Sequence, residues 1–171
     1  MVHILPHWNW KGYEGKNVPV FVYTNGDSAE LFLNGKSLGK KFKKPKSDIS
    51  TERYRLMWKD VVYEPGELKA VAYKNGQAIG ETMVKTAGDP SSVKLTPDRS
   101  HLDASGDDLS YILVEAYDKD GNLCPLADNL INFKLKGPAE IAGVGNGNPQ
   151  SHEPFVASYR KLFYGKAMLI I

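Results

Sequence analysis

The chain has 171 residues, 42% of them hydrophobic and 25% charged, with a formal net charge of +2. That balance departs from the apolar-poor composition of disordered chains, and the total charge is too small to imply a nucleic-acid partner. One cysteine, Cys124, cannot form an internal disulfide, and no run of eighteen apolar residues is present to build a membrane-spanning helix. The N-terminus, Met1 to His7, shows neither the basic region nor the apolar stretch of an export signal.

The first distinctive stretch is His7-Trp8-Asn9-Trp10. Aromatic faces pack against the apolar face of a pyranose while Asn and His bond its hydroxyls, so this stretch has the chemistry of a sugar-proximal or domain-contact segment. Tryptophan is equally a large hydrophobe that fills cores. The first role requires Trp8 and Trp10 to be more exposed than core aromatics normally are.

Strand-like alternation follows at Val18/Val20/Val22, at Ala29/Leu31/Leu33 against Glu30, and at Leu68/Ala70/Ala72 against Lys69. Asn25-Gly26, Asn34-Gly35 and Asn75-Gly76 each follow such a run and have the residues of a tight type I′ hairpin turn. Pro65-Gly66 fits the centre of a type II turn. Lys36, Lys40, Lys41, Lys43, Lys44 and Lys46 form a basic run around Phe42, which is best read as a lysine-protected edge strand or solvated loop.

At Gly88-Asp89-Pro90-Ser91-Ser92 the pattern breaks, marking a linker that divides the chain into residues 1–87 and 88–171. Alternation returns at Val93/Leu95, Ile112/Val114/Ala116, Ile131/Phe133/Leu135 and Met168/Ile170. Helical periodicity is sustained nowhere. The expected class is all-β, with two tandem immunoglobulin-like sandwiches.

Asp118-Lys119-Asp120-Gly121-Asn122 resembles the start of a calcium loop, but its glycine falls at position 4 where position 6 is required, so a hairpin turn is expected. Gly143-Val-Gly-Asn-Gly147 is glycine-rich, yet Asn148-Pro149 opens no helix and a dinucleotide site is not implied. His3, His7, His101 and His152 show no metal spacing, and no Gly-x-Ser-x-Gly nucleophile elbow is present. Asp107 and Asp108 are adjacent and would point to opposite faces of a strand, whereas glycosidases hold two carboxyls about 5–9.5 Å apart across a bound sugar. No catalytic residue, metal site or cofactor is therefore assigned.

Several of these segments match one family. His3-Ile-Leu-Pro-His-Trp-Asn-Trp10, Val20-Phe-Val-Tyr-Thr-Asn25, Ala29-Glu-Leu-Phe-Leu-Asn-Gly-Lys-Ser-Leu-Gly39 and Glu64-Pro-Gly-Glu-Leu-Lys-Ala-Val-Ala-Tyr73 resemble the region after the catalytic barrel of family 2 glycoside hydrolases, chiefly bacterial β-galactosidases. Leu95-Thr-Pro-Asp-Arg99, Gly106-Asp-Asp-Leu-Ser110, Ala139-Glu-Ile-Ala-Gly143 and Gly145-Asn-Gly-Asn-Pro149 resemble the next domain of the same enzymes. The resemblance implies a non-catalytic accessory role, with both catalytic glutamates in a barrel preceding Met1. It implies a retaining parent enzyme for terminal β-galactosides, periplasmic or secreted, without organic cofactor. Its implied partner is that barrel, with His7, Trp8, Asn9 and Trp10 near the junction or the sugar. A free-standing carbohydrate-binding or adhesion module is the alternative, and neither nucleic acid nor membrane is implied.

The last residues, Lys166-Ala-Met-Leu-Ile-Ile171, stop inside an apolar strand-like run. This leads to the expectation that the second sandwich lacks its final strand and presents an unpaired apolar edge open to self-association.

Overall fold

The computed structural model describes all residues from Met1 to Ile171. It forms two units, Met1–Thr86 and Ala87–Ile171. The first contains β1 (Val2–Leu5), β2 (Val20–Thr24), β3 (Ser28–Leu33), β4 (Lys36–Phe42), the short helix α1 (Ser50–Tyr54), β5 (Arg55–Trp58), β6 (Glu67–Lys74) and β7 (Gln77–Lys85). A three-stranded sheet ordered β1-β2-β5 faces a four-stranded sheet ordered β4-β3-β6-β7, all antiparallel. Alternation decides which side chains go between them: Val20 and Val22 from β2, Ala29, Leu31 and Leu33 from β3, and Leu68 and Ala70 from β6 all enter one core. Trp8, Trp58 and Tyr63 fill its remaining volume.

Two of the Asn-Gly pairs make the expected turns, with φ of 50° and 80° at Asn34-Gly35 and the same values at Asn75-Gly76. Asn25-Gly26 does not. It joins β2 to β3, which belong to different sheets, so the chain crosses between layers and needs no type I′ hairpin geometry. Gly26 is instead required by crowding, because a Cβ there would lie 2.3 Å from the Tyr73 carbonyl oxygen. At Pro65-Gly66 the same logic applies: Gly66 has φ 138°, and a Cβ would meet Asn34 Oδ1 at 1.9 Å. The Asn34 side chain spans that turn, donating to the Pro65 carbonyl at 3.2 Å and accepting from the Glu67 amide at 2.9 Å.

The first part of the lysine-rich stretch forms β4, the outermost strand of its sheet, with no residue buried, and Lys43, Lys44 and Lys46 follow it in a loop. Helix α1 was not anticipated; it is five residues long and buries none of them, so it leaves no apolar periodicity to read.

The second unit contains β8 (Ser92–Pro97), β9 (Tyr111–Tyr117), β10 (Leu130–Asn132), β11 (Gly143–Gly145), β12 (Tyr159–Lys161) and β13 (Lys166–Ile170). A four-stranded sheet ordered β11-β13-β9-β8 is accompanied by a two-stranded sheet of β10 and β12. Val114, Ala116, Cys124, Val144, Leu162, Ala167 and Leu169 form the core.

Three expectations are corrected here. The strand formed by the last residues is not itself an unpaired edge: β13 lies inside its sheet, bonded to β9 on one side and β11 on the other. Within it Ala167 and Leu169 face the core, while Met168 and Ile170 are only half-buried on the opposite face. The run is apolar at nearly every position, so its period of two carries no phase, and a one-residue slip exchanges the faces. Finally, Val93 and Leu95 lie opposite Ala116 and Val114 on the core side, yet remain 47% and 52% exposed. β8 is the outermost strand, and a covering sheet of two three-residue strands leaves it open. The same shortness leaves Leu135 beyond the end of β10 and exposed.

Asp118 organises the turn that had looked like a calcium loop. Its carboxylate accepts from the amides of Gly88, Asp120 and Asn122 at 2.8–3.0 Å and from the Asn122 side chain at 3.1 Å. Those bonds, the Gly88 amide foremost, hold its pKa down from 3.8 to about 2. In the glycine-rich segment, Asn146 Oδ1 accepts from the Asn148 amide and Asn148 Oδ1 from the Gln150 amide, giving the successive Asx turns that the residues favour.

Candidate functional site: the His7–Trp10 segment

After β1 the chain leaves the sheet at Pro6 and folds back toward β2 through a loop held by two successive tight turns. The Tyr13 amide donates to the Trp10 carbonyl at 2.9 Å, and the Lys16 amide donates to the Tyr13 carbonyl at 2.8 Å. Three further backbone bonds lace this loop to the stretch 61–63: Gly15 to the Tyr63 carbonyl, Tyr63 to the Lys16 carbonyl, and Val18 to the Val61 carbonyl. The segment is therefore fixed against the first core.

Within it, the four residues divide. Trp8 points inward and is 0% exposed; its ring meets Tyr63 edge-on with centroids 5.1 Å apart, and its Nε1–H donates to the Glu64 carbonyl at 2.9 Å. It is a core residue, and the expectation of an exposed indole is corrected at this position. Burial pairs its ring with other apolar groups and its one polar atom with a carbonyl, as a buried Trp requires.

Trp10 is different. It is half-buried, stacked on His7 at 4.9 Å with planes 25° apart, and its Nε1–H donates to the His7 carbonyl at 2.9 Å. The Trp10 amide donates to the Tyr63 hydroxyl oxygen at 3.2 Å. His7 Nδ1 accepts from the Asn9 amide at 3.2 Å, and burial lowers the His7 pKa, so the neutral ring is the favoured form. Beyond Trp10 the array continues: Tyr13 lies 5.8 Å from Trp10, and Lys16 Nζ sits 4.9 Å over the Tyr13 ring. Tyr13 is 47% exposed.

The result is a row of His7, Trp10, Tyr13 and Lys16, one every third residue, presented along the loop. His7 and Trp10 stand out in the sequence by composition, whereas Tyr13 and Lys16 do not. The spacing of three was the available signal, since successive turns bring residues i and i+3 together. Chemically the row offers aromatic faces and one cation, a surface for stacking or for packing against another apolar surface. It places no pair of carboxylates together. Asp108, from the adjacent acidic pair, instead binds Arg99 at 2.9 Å and accepts from the Asp103 amide.

Comparison with known proteins bears on what such an accessory surface belongs to. Residues 93–171 match the glycoside hydrolase family 2 C-terminal domain 5, and residues 15–80 match a domain of unknown function. The chain is a C-terminal region of a family 2 glycoside hydrolase. It is 45% identical over its whole length to a beta-galactosidase of Bacteroides ovatus, covering 19% of that protein. A putative beta-glucuronidase of Formosa agariphila is 36% identical over 97% of the chain and 16% of its own length. The crystal structure of a beta-glycosidase from Bacteroides vulgatus superimposes with a TM-score of 0.90 at 36% identity, over 99% of this chain and 21% of that one. The chain thus spans less than a fifth of the length of these curated relatives.

Proposed function

We propose that this chain is the non-catalytic part of a retaining glycoside hydrolase for terminal β-galactosides, serving to flank the barrel and its sugar site. The observation that carries this reading is the 45% identity that runs the full length of the chain against a small share of a beta-galactosidase. The partly exposed row of Trp10 and Tyr13 supports a contact with the barrel, because aromatic surface held at the margin of a core and left open on one side is the material of interfaces. His7 and Trp10 are its central residues, Asn9 lies beside them, and Trp8 anchors the loop from behind. A periplasmic or secreted parent goes with the same reading, and fractionation of the source cells tests it.

A second sugar follows from the glucuronidase relatives: a parent acting on β-glucuronides. The deciding experiment is kcat/KM of the whole parent enzyme on matched aryl β-galactoside and aryl β-glucuronide. Preference for the galactoside by tenfold or more supports the first reading; preference for the glucuronide replaces it with the second. In the same enzyme Trp10→Ala should lower activity or weaken attachment of the region to the barrel. Unchanged activity and unchanged resistance to proteolysis would remove the proposed contact.

A further inference from the structure

The net charge of +2 conceals a marked asymmetry. Residues 36–60 hold seven Lys and two Arg against three Asp and Glu, a net of +6, so the remaining residues together carry −4. The fold gathers this segment along one side of the first unit. β4 and β5 are each the outermost strand of their sheets, and they face one another across the open side of the sandwich. Two bonds join them: Lys41 Nζ donates to the Met57 carbonyl at 2.6 Å, and Trp58 Nε1–H donates to the Leu38 carbonyl at 3.2 Å.

Along this seam lie two adjoining open cavities of about 340 and 730 Å³, which share Lys41, Lys59 and Asp60 in their walls. Protection of a sheet edge accounts for lysines on β4, and Lys44 is engaged with Glu52 at 3.2 Å. Lys59 lies just past the end of β5, outside the paired edge, and lines the larger cavity together with Lys36 of β4. Neither Lys36 nor Lys59 lies within ion-pair distance of a carboxylate, and the longer-range field of Lys59 reaches Glu52. Phe42, 65% exposed, lines the smaller cavity and offers a flat apolar face.

We propose that the seam between β4 and β5 is a binding groove for an acidic polysaccharide strand, one bearing uronate carboxylates. This rests on the reading of the chain as part of a glycoside hydrolase. Charge complementarity selects an anion, and the groove's own acceptors select its kind. Asp60 and Glu64 stand among the lysines, where their carboxylates accept bonds from sugar hydroxyls and repel a densely charged phosphate backbone. A polyuronate has widely spaced carboxylates, abundant hydroxyls and an apolar ring face for Phe42. Lys36 and Lys59 hold the carboxylates.

The test is affinity electrophoresis of the chain through gels containing polygalacturonate, neutral galactan or no polymer, with double-stranded DNA as a competing polyanion. Polygalacturonate should retard the chain, galactan should not, and retardation should weaken as salt rises. The double variant Lys36→Gln, Lys59→Gln should bind about tenfold more weakly, in keeping with two exposed charge contacts. Lys134→Gln, an exposed lysine of the second unit, should not change binding. Thermal midpoints of all variants establish that the fold is retained. Absence of retardation, or retardation indifferent to the double variant, overturns the proposal. DNA binding as tight as polyuronate binding and lost with the same lysines overturns it in favour of a general polyanion patch. None of these results alters the comparison of galactoside and glucuronide turnover, so the two readings fail separately.

Discussion

Thr86 reaches across 78 residues of sequence to donate its hydroxyl to the Trp8 carbonyl at 2.6 Å. The last residue of the first unit thus clasps the segment that the first strand leads into, and Thr86 Oγ1 also accepts from the Gly66 amide at 3.1 Å. Trp8 is consequently bound on both sides, by its ring to Tyr63 and by its backbone to Thr86.

Trp8→Ala should therefore destabilise the first unit by about 3–5 kcal/mol, the usual cost of removing a fully buried large aromatic. Tyr63→Phe, which deletes only the hydroxyl that the Trp10 amide bonds, should cost about 0.5–1.5 kcal/mol. Urea unfolding followed by tryptophan fluorescence measures both. A Trp8→Ala variant as stable as the unsubstituted chain would contradict the core role of Trp8.

Crowding at Gly26 gives a sharper contrast between two glycines. Gly26→Ala forces a Cβ against the Tyr73 carbonyl and should cost at least about 1–3 kcal/mol, as overpacking does. Gly145→Ala meets nothing within 4 Å and has no positive φ, so it should change stability by less than about 0.5 kcal/mol. Equal thermal midpoints for the two variants would contradict the account of the crossover turn.

The pKa of Asp118 makes the second unit acid-sensitive. Its folded value, about 2, lies below the ordinary 3.8, so the unfolded chain binds the proton more readily. The stabilisation is whole above pH 4 and is lost as pH falls through about 2. In Asp118→Ala that loss should be smaller, and the variant should be less stable at pH 7, because the Gly88, Asp120 and Asn122 amides lose their acceptor. Thermal unfolding between pH 2 and 7 reads both effects.

His7 contributes with the same sign, its pKa being lowered from the ordinary histidine value. Burial places its pKa below 6.5, so stability of the first unit contributed by the neutral ring is present above that pH and declines as pH falls. Imidazole proton resonances should show a His7 midpoint below 6.5. A midpoint above 6.5 would mean that the ring is not held as the stack with Trp10 describes.

Much of this architecture is written locally. Ala29/Leu31/Leu33 and Leu68/Ala70/Ala72 alternate cleanly because each strand has one buried and one wet face, and Asn34-Gly35 and Asn75-Gly76 have residues that tolerate positive φ. What was not legible depends on the layer a strand joins. Asn25-Gly26 has the same residues as the other two pairs, but only the sheet assignment of β2 and β3 reveals it as a crossover. Ala167 and Met168 are both apolar, so only pairing with β9 decides which one faces inward. In the candidate site, His7 and Trp10 stood out by composition, whereas Trp8 was indistinguishable from Trp10 until Tyr63 and Thr86 were brought to it by long-range packing.

The central claim is that this region contributes to a glycosidase without performing its chemistry. Its most direct test is hydrolysis of a chromogenic aryl β-galactoside by the rigorously purified chain over a wide range of protein concentration. The account predicts no release above the buffer rate at any concentration, since the structure brings no pair of carboxylates to the row of His7, Trp10, Tyr13 and Lys16. Release that rises in proportion to the concentration of the chain, and persists through further purification, would contradict it.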